Sequence, residues 1–172
     1  AENIIVFPNN GNIVLAAKQA AEMYTDAKIH VIETVNVGEG YAALPFLSEE
    51  YENIDELVSM LRISVKRISE GEITTSVRDT DINGLHICKN DYIGIHDKNI
   101  VVSDTDINRA AQVLTEELLS GSQSVLTVFF GLDATDIQKN DYKKYMSDAH
   151  PDVELYCIDG NQPVYPFILI AE

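Results

Sequence analysis

Asn3-Ile4-Ile5-Val6-Phe7-Pro8-Asn9-Asn10-Gly11-Asn12 opens the chain, and the stretch running from there to Ile32 decides the fold. Residues 3–7 are a short apolar run stopped by Pro8, which predicts a strand ending in a turn. Asn9 to Asn12 form a polar loop, with Asn12 placed to cap the next helix. Ile13, Ala16, Ala17, Ala20 and Ala21 recur at helical spacing and predict that helix over 12–24. Lys28 to Ile32 is a second strand. Strand, helix and strand with such short connections imply parallel strands joined by a right-handed crossover.

Outward from this unit the texture changes. Residues 33–41 are a polar, glycine-bearing loop leading into a short helix near 40–47. Residues 51–70 predict a long amphipathic helix with Ile54, Leu57, Val58, Leu61, Val65 and Ile68 on one face, closed by Gly71 as its cap. Residues 72–78, 85–88, 92–96 and 99–103 predict a meander of short strands turning at Asn83-Gly84, Lys89-Asn90-Asp91 and Asp97-Lys98-Asn99. Asp106–Leu119 and Thr135–Ala149 predict helices; Ser124–Phe130, 153–158 and 164–170 predict strands. The expectation is an α/β chain of two lobes, a parallel layer over 1–71 and a mixed sheet with two helices over 72–172.

The 172 residues carry 12 Lys and Arg against 28 Asp and Glu, a formal net charge of -16. Both lobes are acidic, so nucleic acid and anionic membrane surfaces are excluded as expected partners. No apolar run is long enough to span a bilayer. Cys88 and Cys157 stand 69 residues apart with no CxxC, which suits buried free thiols and a reducing, cytoplasmic setting. The chain begins at Ala1, with a strand at residue 3, and reads as a piece of a longer protein.

Few motifs carry chemistry. No phosphate loop, strand-following G-x-G-x-x-G or G-x-S-x-G elbow is present. Asp79-Thr80-Asp81-Ile82-Asn83-Gly84 resembles the start of a calcium loop, but position twelve is Asn90 rather than Glu, and turn chemistry accounts for it. His86, Cys88 and His96 fall on strands expected to pair; a zinc site needs three or four such ligands converging, and a hairpin carrying ordinary half-buried His and Cys accounts for them. No metal, catalytic residue or cofactor is assigned. The loops after the two parallel strands are the best candidates, because ligands sit beyond the carboxyl ends of such strands. There Asn9, Asn10, Thr34 and Asn36 offer uncharged hydrogen bonds, and they are equally good turn formers. Arg78, beside Asp79, is either in a salt bridge or a partner contact. Gln162 and Tyr165 belong to the proline-flanked segment Gln162-Pro163-Val164-Tyr165-Pro166 that precedes the last strand.

Five strings in order carry a resemblance: Ile5-Val6-Phe7-Pro8-Asn9-Asn10, Val77-Arg78-Asp79-Thr80, Asn90-Asp91-Tyr92-Ile93-Gly94-Ile95, Thr127-Val128-Phe129-Phe130-Gly131 and Gly160-Asn161-Gln162-Pro163-Val164-Tyr165-Pro166. Together they resemble the C-terminal domain of the bacterial dihydroxyacetone kinase-like protein that is the ATP-binding subunit of fatty acid kinase. The resemblance implies a DegV-like fold, with the first lobe lacking its opening strands. It implies that ATP and magnesium act in a kinase domain outside this chain. It also implies a DegV-type fatty-acid-binding protein as partner, or a fatty acid bound by this domain itself. Where DegV-type proteins use small hydroxyl residues and a late His, this chain has Asn9-Asn10 and Gln162 with Tyr165. The implied role is therefore docking or regulation of the acyl-carrying partner, with carriage of a small carboxylate as the alternative.

Overall fold

The computed structural model describes every residue except Glu49 and Asn83, with Ser48 described by its backbone alone. The chain divides into two compact units, Ala1–Ile68 and Ser69–Glu172.

In the first unit β1 (Asn3–Val6) and β2 (Lys28–Val31) pair in parallel, Asn3 opposite Lys28 and Val6 opposite Val31, across helix α1 (Val14–Met23). After β2 come α2 (Val37–Ala42), a 3-10 turn (Leu44–Ser48) and α3 (Ile54–Ser64). Ile32, Ala43, Val58, Leu61 and Val65 form its core, with Ile5, Phe7, Phe46, Ile54 and Leu57 packed against them. The apolar face expected of α3 is the face that is buried. By contrast α1 buries no residue, and Leu15 and Met23 are 67% and 83% exposed. Asn12 does not cap α1. Ile13 stands at that position, while Asn12 donates its backbone N–H to Asn10 Oδ1.

The second unit is built on a sheet of six strands: β3 (Ser69–Thr75), β6 (Tyr92–His96), β7 (Asn99–Asp104), β8 (Val125–Phe130), β9 (Glu154–Asp159) and β10 (Phe167–Ala171). A separate hairpin, β4 (Thr80–Ile82) with β5 (Leu85–Ile87), lies between β3 and β6 in the chain. The order across the main sheet is β7-β6-β3-β10-β8-β9. Only β8 and β9 are parallel, joined through α5 (Asp136–Ala149); the other pairings are antiparallel. Helix α4 (Ile107–Leu118) starts at Asp106, whose carboxylate accepts from the N–H groups of Asn108 and Arg109. Leu114 and Leu118 of α4, Tyr142 and Met146 of α5, and Phe130, Phe167 and Leu169 of the sheet share one core.

Cys88 and Cys157, expected as buried thiols, are both exposed. Three expectations about the elements are also corrected. First, the helix expected to run to residue 70 ends at Ser64, and Gly71 is no cap but the third residue of β3. A Cβ at Gly71 would stand 2.8 Å from the buried Leu114 side chain, so this glycine is there to let α4 approach the sheet. Second, the meander is interrupted. Residues 76–91 leave the sheet as an excursion closed by Ser76 N–H to Asp91 O (2.8 Å) and Asn90 N–H to Ser76 O (2.9 Å). This excursion carries the β4–β5 hairpin, and β3 pairs directly with β6. Of the expected Asn83-Gly84 turn, Asn83 lies outside the described residues. His86 and His96 therefore sit in different sheets, and His86 Nδ1 is 2.9 Å from Asp81 instead. Third, the last strand begins at Phe167 rather than 164, because Asn161 and Val164 adopt positive φ values of 53° and 74°.

Candidate functional site

Asn9 follows β1 in the left-handed region, φ 53°, which asparagine tolerates better than most residues. This conformation points its N–H at Thr34 Oγ1, 2.9 Å away, on the fully buried threonine that follows β2. The carboxyl ends of the two parallel strands are thereby tied together. The Asn9 side chain lies on Gly40, where a Cβ would stand 2.7 Å from Nδ2, and its Oδ1 is buried without a partner. Asn10 Oδ1 accepts from Asn12 N–H (2.9 Å), an Asx turn. Asn36 caps α2, its Oδ1 accepting from Glu39 N–H at 2.8 Å, and the Glu39 carboxylate reaches back to Val35 N–H at 2.6 Å. Burial pushes the Glu39 carboxyl upward, and the bond from Val35 N–H works against it.

Arg78, Gln162 and Tyr165 lie in the second unit. Gln162 Nε2 donates to Phe129 O (3.1 Å) and Tyr165 O (3.0 Å), so its amide locks the loop rather than facing solvent. The same loop is held by Leu132 N–H to Gln162 O, Gly131 N–H to Pro166 O and Thr74 Oγ1 to Val164 O. Gly131 is required there, since a Cβ would meet the Tyr165 carbonyl and stand 2.7 Å from that of Gln162. A β-branched residue at φ 74° is strained, and these bonds are what over-determine Val164. The phenol of half-buried Tyr165 is raised first by the Glu72 charge and then by burial. Arg78 is exposed, and its carbonyl accepts from Ser76 Oγ. Its expected bridge to Asp79 is not among the ion pairs of the described residues; Asp79 Oδ1 accepts from Lys89 N–H.

A cavity of about 430 Å³ opens within the first unit, lined by Glu33, Glu39, Arg62, Val65, Lys66 and Ile68. Glu33 is paired with Lys18 of α1 at 2.7 Å, which lowers its carboxyl. Arg62 lies in the last turn of α3, and Lys66 follows it where Lys66 N–H and Arg67 N–H bond back to Ile63 O and Ser64 O.

A family model for the C-terminal region of FakA-like fatty acid kinase proteins matches residues 1–172. The chain belongs to that family. A protein of Staphylococcus saprophyticus is 34% identical over 168 residues, covering 98% of this chain and 30% of its own length. Protein YloV of Bacillus subtilis is 31% identical over 172 residues, covering all of this chain and 31% of its own length. This FakA-like C-terminal domain therefore spans about 30% of the curated relatives it matches. Among solved structures it shares its fold with the Streptococcus pneumoniae fatty acid kinase B3 protein loaded with linoleic acid. The TM-score is 0.74 at 12% identity, over 100% of this chain and 72% of that one. A fatty-acid-binding DegV family protein of Thermus thermophilus gives 0.66 at 11%, over 100% and 71%. The dihydroxyacetone kinase of C. freundii gives 0.56 at 14%, over 98% and 38%. The DegV-like and dihydroxyacetone kinase-like α/β fold is thus the fold of this domain.

In the FakA-like domain Asn9 and Thr34 meet directly, and Asn36 stands beside them as a helix cap. Asn10 turns away into its own loop, while Gln162 and Tyr165 form a second loop in the other unit. The charged residues around the cavity carry no motif. Their one signal in the sequence is the clustering of Arg62, Lys66 and Arg67 within six residues of a chain with 12 cations in all. Among the described residues no helix is long and apolar enough to cross a membrane.

Proposed function

We propose that this domain serves a fatty acid kinase as a non-catalytic docking module, recognising the acyl-carrying, DegV-type protein and positioning it for a kinase domain elsewhere in the parent polypeptide. ATP and magnesium belong to that kinase domain in this reading. The observation that carries the proposal is the state of the loop polar groups. Thr34 Oγ1, Asn10 Oδ1, Asn36 Oδ1 and Gln162 Nε2 all bind the chain's own backbone. The one buried side-chain atom left without a partner among these loop residues is Asn9 Oδ1, an amide oxygen, which is the wrong polarity for a carboxylate. Loops engaged in this way have a fixed shape and suit a protein surface better than an acyl headgroup. A carboxylate brought to the Gln162–Tyr165 loop would also meet the Glu72 charge that already acts on the Tyr165 phenol.

Carriage of a fatty acid by the domain itself is the second reading, favoured by its fold likeness to proteins solved with fatty acids bound. Two measurements separate the readings. Titration with an oleate-loaded DegV-type protein should give saturable binding, weakened by Tyr165→Ala. Native mass spectrometry of the purified domain should show the bare mass. Absent binding to both loaded and empty partner would refute docking. A reproducible fatty-acid adduct, lost on denaturation, would establish carriage.

A further inference from the structure

The cavity at the end of α3 is unusual for its charge balance. Its two carboxylates are already engaged, Glu33 by the Lys18 ammonium and Glu39 by Val35 N–H. Its two cations are not: among the described residues neither Arg62 nor Lys66 makes an ion pair, and they reach Glu33 only at longer range. The uncommitted donors of the cavity are therefore the five guanidinium N–H groups of Arg62 and the three ammonium N–H groups of Lys66, while one oxygen of each carboxylate stays available as an acceptor. Complementing the helix macrodipole is the ordinary reason for a cation at a helix C-terminus. That role needs no hydrogen bond from the side chains here, because the terminal carbonyls of Ile63 and Ser64 already receive Lys66 and Arg67 N–H. Buried Val65 and half-buried Ile68 supply apolar wall between the charges.

We propose that this cavity binds a small organic anion, its carboxylate or phosphate held by Arg62 and Lys66 and its body against Val65 and Ile68. A guanidinium and an ammonium both match an oxyanion, the first in a planar fork and the second as a point charge. About 430 Å³ is within the range of small-molecule sites and larger than a bare anion needs. In a chain of net charge -16 this is a place where an anion meets unpaired positive charge. The inference does not depend on the docking role, since it concerns a different set of residues.

The test is calorimetric titration of the whole 172-residue chain at low ionic strength with hexanoate, glycerol 3-phosphate and inorganic phosphate. Saturable one-to-one binding of either organic probe supports the site and tells carboxylate from phosphate ester. Arg62→Ala and Lys66→Ala should each weaken binding roughly tenfold, the loss of one charge-assisted contact. Lys144→Ala, an exposed cation of α5 in the other unit, should leave it unchanged. Backbone amide shifts on titration should centre on residues 33–39 and 62–68, a readout that needs no variant to fold. Absence of binding by both organic probes, shifts centred elsewhere, or undiminished affinity in the Arg62→Ala/Lys66→Ala double variant would overturn the proposal. Inorganic phosphate binding as tightly as both organic probes would overturn the role given to Val65 and Ile68.

Discussion

Thr115 on α4 and Tyr142 on α5 are both fully buried, with their oxygens 2.6 Å apart. Direction can be assigned: the single Thr115 proton goes to Ala111 O at 2.7 Å, so the phenol must be the donor to Thr115 Oγ1. Burial pushes the phenol well above its ordinary range, so it remains protonated at any working pH. The two obvious substitutions are then unequal. Tyr142→Phe removes the donor and strands nothing that must donate, and should cost about 0.5–1.5 kcal/mol. Thr115→Val leaves a buried O–H with no acceptor and should cost about 1–3 kcal/mol. The double variant replaces both partners by apolar groups of similar shape, so it should be more stable than Thr115→Val alone. Urea unfolding followed by far-UV circular dichroism reads this directly, since the chain has no tryptophan. A Thr115→Val variant no worse than Tyr142→Phe, or a strictly additive double, would refute the assigned donor and the claim that the pair couples α4 to α5.

Other outcomes rest on the same kind of reasoning. Gly71→Ala should destabilise by about 1–3 kcal/mol through overpacking against Leu114, and Leu114→Val in the same chain should recover part of the loss, as thermal midpoints would register. The Glu116 carboxyl is held below its ordinary 4.5 first by the Tyr145 hydroxyl and then by His150. Its contribution is present above pH 4.5 and lost as pH falls through the lower folded value, so Glu116→Gln should flatten that acid limb of the stability curve. Glu72 has the opposite sign. Burial raises its folded value, so its ionisation penalises the fold at neutral pH, and Glu72→Gln should raise the midpoint at pH 7 and not below pH 4.5. Asp106→Ala should cost about 1 kcal/mol by uncapping α4, with loss of hydrogen-exchange protection confined first to that helix's opening turn.

The strand–helix–strand opening is legible because its signals are local: an apolar run cut by Pro8, alanines at helical spacing, then a second run. The buried face of α3 is legible for the same reason. The glycine misleads. Gly71 after an amphipathic stretch looks like a helix end, and nothing local distinguishes a capping glycine from one that admits a neighbouring helix. The difference is set by Leu114, 43 residues along the chain. The excursion over 76–91 is hidden in the same way. Its hairpin has ordinary strand chemistry, and only the pairing of β3 with β6 shows that it stands outside the main sheet.

The candidate sites reveal a different limit. Asparagine, threonine and glutamine in loops look ligand-facing because they carry free polar groups in a sequence. In the fold those groups are the nearest partners for unpaired backbone, and a buried loop must satisfy its backbone before anything else. Thr34, Asn36 and Gln162 do so here, and in that role they set the shape of the loops. Cations obey the reverse logic. Arg62 lies in the last turn of α3 and Lys66 just past its end, where the sequence shows only two surface cations, and nothing in the sequence shows that Glu33 is already taken by Lys18. An unpaired charge is a property of the whole set of pairings. Residues that hold a ligand are therefore to be sought among those the fold has left unpaired, and in the first unit that search leads to the end of α3 rather than to the loops after β1 and β2.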